Sequence, residues 1–150
     1  FGATEDTMVA LCSAPGRTEI CGNHTDHQHG RVLAAAVNLD FLACVALNGT
    51  SVVHFQSEGW PMTSVDLADL EVKEEEKETT ASLIRGVLAK LHKAGYPVAG
   101  FDMYVTSTVL PGSGLSSSAA CEVLIGTTGN HLFCQDKFDA VEIAKIGQAA

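Results

Sequence analysis

The chain of 150 residues has the size of one domain and can bury one core, which leaves no room for two separate substrate domains. With 46% apolar and 18% charged residues it has the composition of a folded protein, and a formal net charge of −9 leaves no basic field for nucleic acid or anionic lipid. Any anionic ligand must be held locally. The five cysteines, Cys12, Cys21, Cys44, Cys121 and Cys134, are odd in number and lack C-x-x-C pairing, which argues against a disulfide framework or thiolate zinc site and points to a reducing, cytoplasmic compartment. No run reaches the roughly 18 uninterrupted apolar residues of a membrane span, and no basic segment precedes an apolar one as in a secretory leader. A first residue Phe1 and a helical pattern still uncapped over Ile146 to Ala150 suggest a piece of a longer chain.

From Met8 to about Phe55 apolar residues come in short β-prone runs, Val9 to Leu11, Val32 to Val37, Phe41 to Leu47 and Ser51 to Phe55, which predict an antiparallel meander. Asn48-Gly49 is the dipeptide a two-residue hairpin prefers, because both central positions need positive φ. Met62 to Val65 offers a further strand, and the acidic run Glu71 to Glu78 reads as a solvated connection. Leu83, Ile84, Val87, Leu88 and Leu91 fall on one helical stripe closed by Gly95 and Pro97, so a helix is expected from about Thr80 to Ala94. Phe101, Met103 and Val105 alternate with Asp102 and Tyr104 as a half-buried strand, and Ser107 to Gly114 is a turn-rich loop. Two helical patterns come after it, Ser116 to about Phe133 and Asp136 to Ala150, the second with Asp136 as N-cap. Strands first, then helices mixed with one more strand, is an α+β order.

Two loops are chemically dense. Pro111-Gly112-Ser113-Gly114-Leu115-Ser116-Ser117-Ser118 lies between a predicted strand and a predicted helix. Its glycines let backbone approach a ligand, its serines offer hydroxyls, and the helix start adds free N–H groups at the positive end of the dipole. That makes either an anion cradle or an ordinary Gly/Ser turn with a serine cap. It lacks the lysine of a P-loop, and Ser117 occupies the last glycine position of the dinucleotide fingerprint. The second loop, Ala14 to Gly30, holds Arg17, Glu19, Asn23, His24, Thr25, Asp26, His27 and His29. Carboxylates, amides and Arg or His donors together suit a polyhydroxylated ligand. A metal cluster of His24, His27, His29 and Asp26, or a plain polar loop, stands beside that reading. His54, His92 and His131 are scattered and read as structural.

The two segments in this order resemble a known family. Ala-Pro-Gly-Arg-x-x-x-x-Gly-x-His-Thr-Asp at Ala14 to Asp26 is similar to the galactokinase signature, and the glycine- and serine-rich stretch at about Val109 to Ala119 is similar to the ATP loop of the superfamily of galacto-, homoserine, mevalonate and phosphomevalonate kinases. The resemblance implies the N-terminal nucleotide-binding domain of that superfamily, 1–150 as an incomplete sugar/ATP-binding domain, with a mixed or antiparallel sheet and helices packed on it. By the same resemblance Arg17 is catalytic, steadying a carboxylate and the transferred phosphate. Asn23, His24, Thr25 and Asp26 bind sugar, Gly112, Ser113, Gly114, Leu115, Ser116, Ser117 and Ser118 wrap ATP, and Ser118 also meets Mg²⁺. Family members carry a glutamate at the position of Asn23, which leaves the identity of the sugar open. The remaining Mg²⁺ glutamate is expected just after Ala150 and the aspartate base further on, so the chain alone is expected to be inactive. The implied activity is a sugar 1-kinase acting on galactose or a close relative with ATP and Mg²⁺. Its partners would be the small-molecule sugar, ATP and the remainder of its own chain, with neither nucleic acid nor membrane. A non-catalytic sugar- and ATP-binding sensor is the alternative.

Overall fold

The structure is a computed structural model, described here for residues 1–2, 4–22, 30–110 and 112–150. Its elements in chain order are β1 (Ala10–Cys21), β2 (Leu33–Leu47), β3 (Val52–Ser57), β4 (Thr63–Asp66), α1 (Thr80–Lys93), β5 (Phe101–Ser107), α2 (Ser117–Phe133) and α3 (Ala140–Gln148). The five strands form one sheet in the order β1-β2-β5-β3-β4. Strand β5 is central: Met103 pairs with Val45 of β2 on one side and with Phe55 of β3 on the other. The β2–β5 pairing is antiparallel and the β3–β5 pairing parallel, so the sheet is mixed. A parallel neighbour needs a crossover connection, and the passage through β4 and α1 supplies it.

This arrangement corrects the predicted meander. Strands β2 and β3 are not paired to each other, because the apolar alternation of β5 is buried between them, and Asn48-Gly49 is therefore not a hairpin turn. Gly49 does take positive φ (71°), but Asn48 spends its side chain bridging strand ends. Its Nδ2 donates to the Val52 carbonyl (2.9 Å) and to Asp102 Oδ1 (2.8 Å), while its Oδ1 accepts from the Thr50 amide (3.0 Å). Gly100 slots into the same corner, where an added Cβ would lie 2.5 Å from the Val52 carbonyl oxygen.

Two strands run further than their apolar runs. β1 continues through Pro15-Gly16 to Cys21, pairing with β2 across register shifts at Pro15/Arg17 and Glu19/Cys21. A proline that cannot donate to the ladder is tolerated on an edge strand at such an irregularity. The runs Val32 to Val37 and Phe41 to Leu47 merge into the single strand β2, with Asp40 at the joint. There the Asp40 amide donates to Thr108 Oγ1 (3.0 Å) and its carboxylate accepts from Ser13 Oγ (2.8 Å).

Helices α1 and α2 pack on the sheet, and α3 packs on α1 and α2. The predicted stripe of α1 is realised: Ile84, Val87, Leu88 and Leu91 are fully buried against Val53, Val65, Phe101, Met103 and Val105. Helix α2 sits between sheet, α1 and α3, and glycine permits the close approach, since a Cβ at Gly129 would lie 2.5 Å from Leu91 Cδ1. α3 begins at Ala140, not at Asp136. Asp136 takes positive φ (56°) and accepts from His131, whereas Asp139 forms a capping box with Glu142. The buried Asn130 holds the intervening loop by bonding both the amide and the carbonyl of Phe138. All five cysteines are free thiols. Among the described residues no helix is long and apolar enough to cross a membrane.

Candidate functional site

Strand β5 and helix α2 are joined by the loop expected to cradle an anion. Gly112 (φ 73°), Gly114 (φ 76°) and Ser116 (φ 57°) all adopt left-handed backbone. For the glycines this costs little; for Ser116 it is strain of about 1–2 kcal/mol. Ser116 precedes α2 but its side chain makes no capping bond, which removes the serine-cap reading of this loop. As in any α-helix the amides of the first turn have no intrahelical acceptors, and here no Ser116 side chain caps them. The first helical bond closes between the Ala120 amide and the Ser116 carbonyl (3.0 Å). A Cβ added at Gly112 or Gly114 would meet nothing within 4 Å, so the loop leaves open space beside its backbone. Ser113 is tied inward, its hydroxyl donating to the Leu110 carbonyl (2.6 Å), while Leu115, Ser116 and Ser117 are half-buried and Ser118 is exposed.

The same loop is fastened to β1. The Arg17 amide donates to the Leu115 carbonyl (3.1 Å), and Gly16 is packed closely enough that a Cβ there would stand 3.1 Å from Val109 Cγ2 and 3.2 Å from the Leu115 oxygen. Arg17, at a register shift of an edge strand, is thus brought beside this loop although it lies 95 positions before Gly112 in sequence. Among the described residues its side chain, half-buried, has no hydrogen-bond or ion-pair partner. Asn23, His24, Thr25 and Asp26, with His27 and His29, lie outside the described residues. Their flanks do not: Cys21 pairs with Leu33, and Gly22 (φ 125°) lies so near Val32 that a Cβ would be 2.8 Å from its Cα.

A cavity of about 640 Å³ opens at the start of α2. It is lined by Ser117, Ser118 and Cys121 of α2, Phe41 of β2, Phe55 of β3, Trp60, Pro61 and Thr63 from the β3–β4 connection into β4, and Glu78 to Thr80 at the start of α1. Trp60, 62% exposed, is carried on the β3–β4 connection, where Gln56 donates to its carbonyl. Apart from Ser117 and Ser118, sequence reasoning missed these residues because they come from separate segments of the chain. The one signal in the chain was a lone tryptophan between two short strands. Burial, with the neighbouring Glu122 carboxyl, pushes the Cys121 thiol up to about 12, so it stays protonated and serves as wall, not nucleophile.

His54, His92 and His131 do not converge. His54 Nδ1 meets Ser64 Oγ (3.0 Å), His131 meets Asp136, and His92 is exposed in the last turn of α1. Among the described residues no group of three or more His, Cys, Asp or Glu is placed to hold a metal ion. The acidic run is mostly solvated as expected, except that Glu76 pairs with the buried Arg85.

A mixed sheet with α1 and α2 on one face, α3 packed against them and a glycine-rich loop feeding α2 is the arrangement this chain shares with the N-terminal domain of the GHMP kinases. Residues 82–150 match the GHMP kinases N terminal domain, and the fold superposes on a mevalonate kinase structure with a TM-score of 0.71 at 17% identity, over 92% of this chain and 45% of that one. Residues 1–47 match the galactokinase galactose-binding signature. It is 36% identical over 138 residues to the galactokinase of Clostridium tetani, covering 91% of this chain and 35% of that protein. It is 31% identical over 150 residues to that of Lactococcus lactis, covering 99% and 37%. The crystal structure of Lactococcus lactis galactokinase complexed with galactose superposes with a TM-score of 0.85 at 30% identity, over 99% of this chain and 38% of that one. The chain therefore spans little more than a third of the length of these relatives.

Proposed function

We propose that the protein to which this chain belongs is a sugar 1-kinase, moving the γ-phosphoryl group of ATP to the anomeric hydroxyl of galactose or a close relative. The observation that carries this reading is the bond between the Arg17 amide and the Leu115 carbonyl, which joins the segment of the sugar signature to the loop at the start of α2. In this scheme Gly112 to Ser118 receive the ATP phosphates. The glycines leave their backbone approachable, and the free amides at the start of α2 meet negative charge with the positive end of the helix dipole. The adjoining apolar cavity takes the nucleoside, with Trp60, Phe41 and Phe55 offering aromatic surface to a planar base.

An Mg²⁺ ion arriving with ATP would neutralise phosphate charge, and the exposed hydroxyl of Ser118 is a hard oxygen donor suited to it. A magnesium ion keeps much of its shell from phosphates and water, so one protein hydroxyl here fits that chemistry. Arg17 places fixed positive charge beside the loop, where charge spreads over the phosphoryl oxygens in transfer. Asn23, His24, Thr25 and Asp26 take the sugar hydroxyls; Asp26 accepts, and Asn23, an amide, both accepts and donates.

The test is sugar-dependent ADP release by the full-length gene product over a panel of hexoses, with Arg17→Ala beside the wild type. The expected result is turnover with galactose or a near epimer, and a fall on the order of 100-fold in kcat for the variant. ATP and sugar binding without any turnover would overturn the kinase reading in favour of a sensor.

A further inference from the structure

The connection between β4 and α1 is fastened from beneath by one buried cation. Arg85, on α1, is 4% exposed and is the only Lys or Arg among the buried residues described. Its Nε donates to Glu76 Oε2 (2.7 Å) and its Nη2 to Glu76 Oε1 (2.7 Å), a two-pronged carboxylate pair. Its Nη1 donates to the Asp66 carbonyl (3.2 Å) and to the Asp69 carbonyl. One guanidinium thus holds the end of β4, the turn after it and the 3₁₀ turn Glu74–Glu76 in one register.

Immediately beyond that anchor the chain lines the cavity at the start of α2. Two residues after Glu76 comes Glu78, in left-handed backbone (φ 61°), then Thr79, which caps α1; the Thr79 amide and hydroxyl both donate to the Glu76 carbonyl. Glu78, Thr79 and Thr80 line the cavity, as does Thr63 at the other end of the anchored stretch. Neither Arg85 nor Glu76 lines the cavity itself.

We infer that Arg85 and Glu76 are positioning residues of the nucleotide pocket, setting the wall Glu78 to Thr80 from outside it; this rests on the cavity being the nucleoside site. A bidentate pair with a planar fork is not replaced by a lysine, so Arg85→Lys and Glu76→Gln both loosen the wall while keeping polar character. Loosening acts on one substrate only, because the loop at the start of α2 and Arg17 are held through other contacts.

The experiment measures KM for ATP, KM for sugar, kcat and the thermal midpoint of the full-length gene product as wild type, Glu76→Gln, Glu76→Ala and Arg85→Lys, with Thr63→Trp to fill the cavity. The expected result is a KM for ATP raised about 5- to 20-fold in the pair variants, with sugar KM and kcat changed less than about twofold. A merely structural role would lower the thermal midpoint and leave the ratio of the two KM values unmoved, and that outcome would overturn the proposal. If Glu76→Ala does not fold, Glu76→Gln and Arg85→Lys decide by the same ratio. If Thr63→Trp raises KM for ATP while the pair variants do not, the positioning role fails and the nucleoside site stands. If Thr63→Trp leaves KM for ATP unchanged, the nucleoside site fails, and the positioning role with it.

Discussion

Gly114→Val separates backbone shape from bulk in the phosphate loop. Gly114 takes φ of 76°, and a Cβ there would meet nothing within 4 Å, so the added Cβ is clear of the rest of the protein. The cost is the left-handed conformation itself, about 1–2 kcal/mol for a residue with a Cβ and more for a β-branched one. The loop can escape that strain only by giving up the curvature that leaves the α2 amides free. If nucleotide binding requires this curvature, the strain reappears in affinity, and ATP should bind about 5- to 30-fold more weakly. Gly49→Val is the matched control, since Gly49 has nearly the same φ (71°) and equally open surroundings but lies in the β2–β3 connection, away from the loop. Titration of the full-length gene product with a fluorescent ATP analogue, alongside urea unfolding, gives both quantities. Equal losses of ATP affinity in the two variants, or an unchanged affinity in folded Gly114→Val, would refute the assignment of this loop to phosphate.

Asp26→Ala should weaken sugar binding by about 1–3 kcal/mol by leaving sugar hydroxyls unpaired, and Asn23→Glu should shift preference toward galactose. An unaltered ranking across a sugar panel would remove Asn23 from the specificity site. Gly100→Ala should destabilise the fold by about 1–3 kcal/mol in urea unfolding, because its Cβ would stand 2.5 to 2.7 Å from the oxygens of Val52, Thr50 and Asn48. Full stability would mean that this corner can open freely. Glu122 is held above the ordinary carboxylate value by burial, so the folded chain keeps its proton to higher pH than the unfolded chain does. Its contribution is full below about pH 4.5 and is lost as pH rises through the folded value, so Glu122→Gln should flatten that decline; an unchanged stability profile from pH 4 to 7 would contradict it.

Much of the local structure was legible from residue patterns. Ile84, Val87, Leu88 and Leu91 could bury together only on a helix, and the alternation of Phe101, Met103 and Val105 fixed both a strand and its inner face. Sheet order was not legible, because Asn48-Gly49 reports only that the chain changes direction and carries no information about which strand fills the gap beside it. Pro15-Gly16 misled in the opposite sense. Both residues discourage a regular ladder, yet on an edge strand with a register shift they are accommodated, and the polar stretch to Cys21 continues as β1.

For the site, the same physics divides what could be read from what could not. A phosphate loop is a local object, in which glycine, serine and a helix start fall within about ten residues because backbone amides must converge on one anion, and so it leaves a continuous trace in the chain. The cavity proposed for the nucleoside has no such requirement. Its apolar wall is assembled from whichever strands and helix ends meet there, and Phe41, Phe55, Trp60, Thr79 and Cys121 share no spacing rule. The anchor behind it is harder still to read. Glu76 sits in a run whose charges are otherwise solvated, and Arg85 follows the buried Ile84 on a helix where a cation is expected to face water. Only tertiary contact tells Glu76 from Glu74 and Glu75, since Glu76 alone of the three is met by a guanidinium in two-pronged geometry.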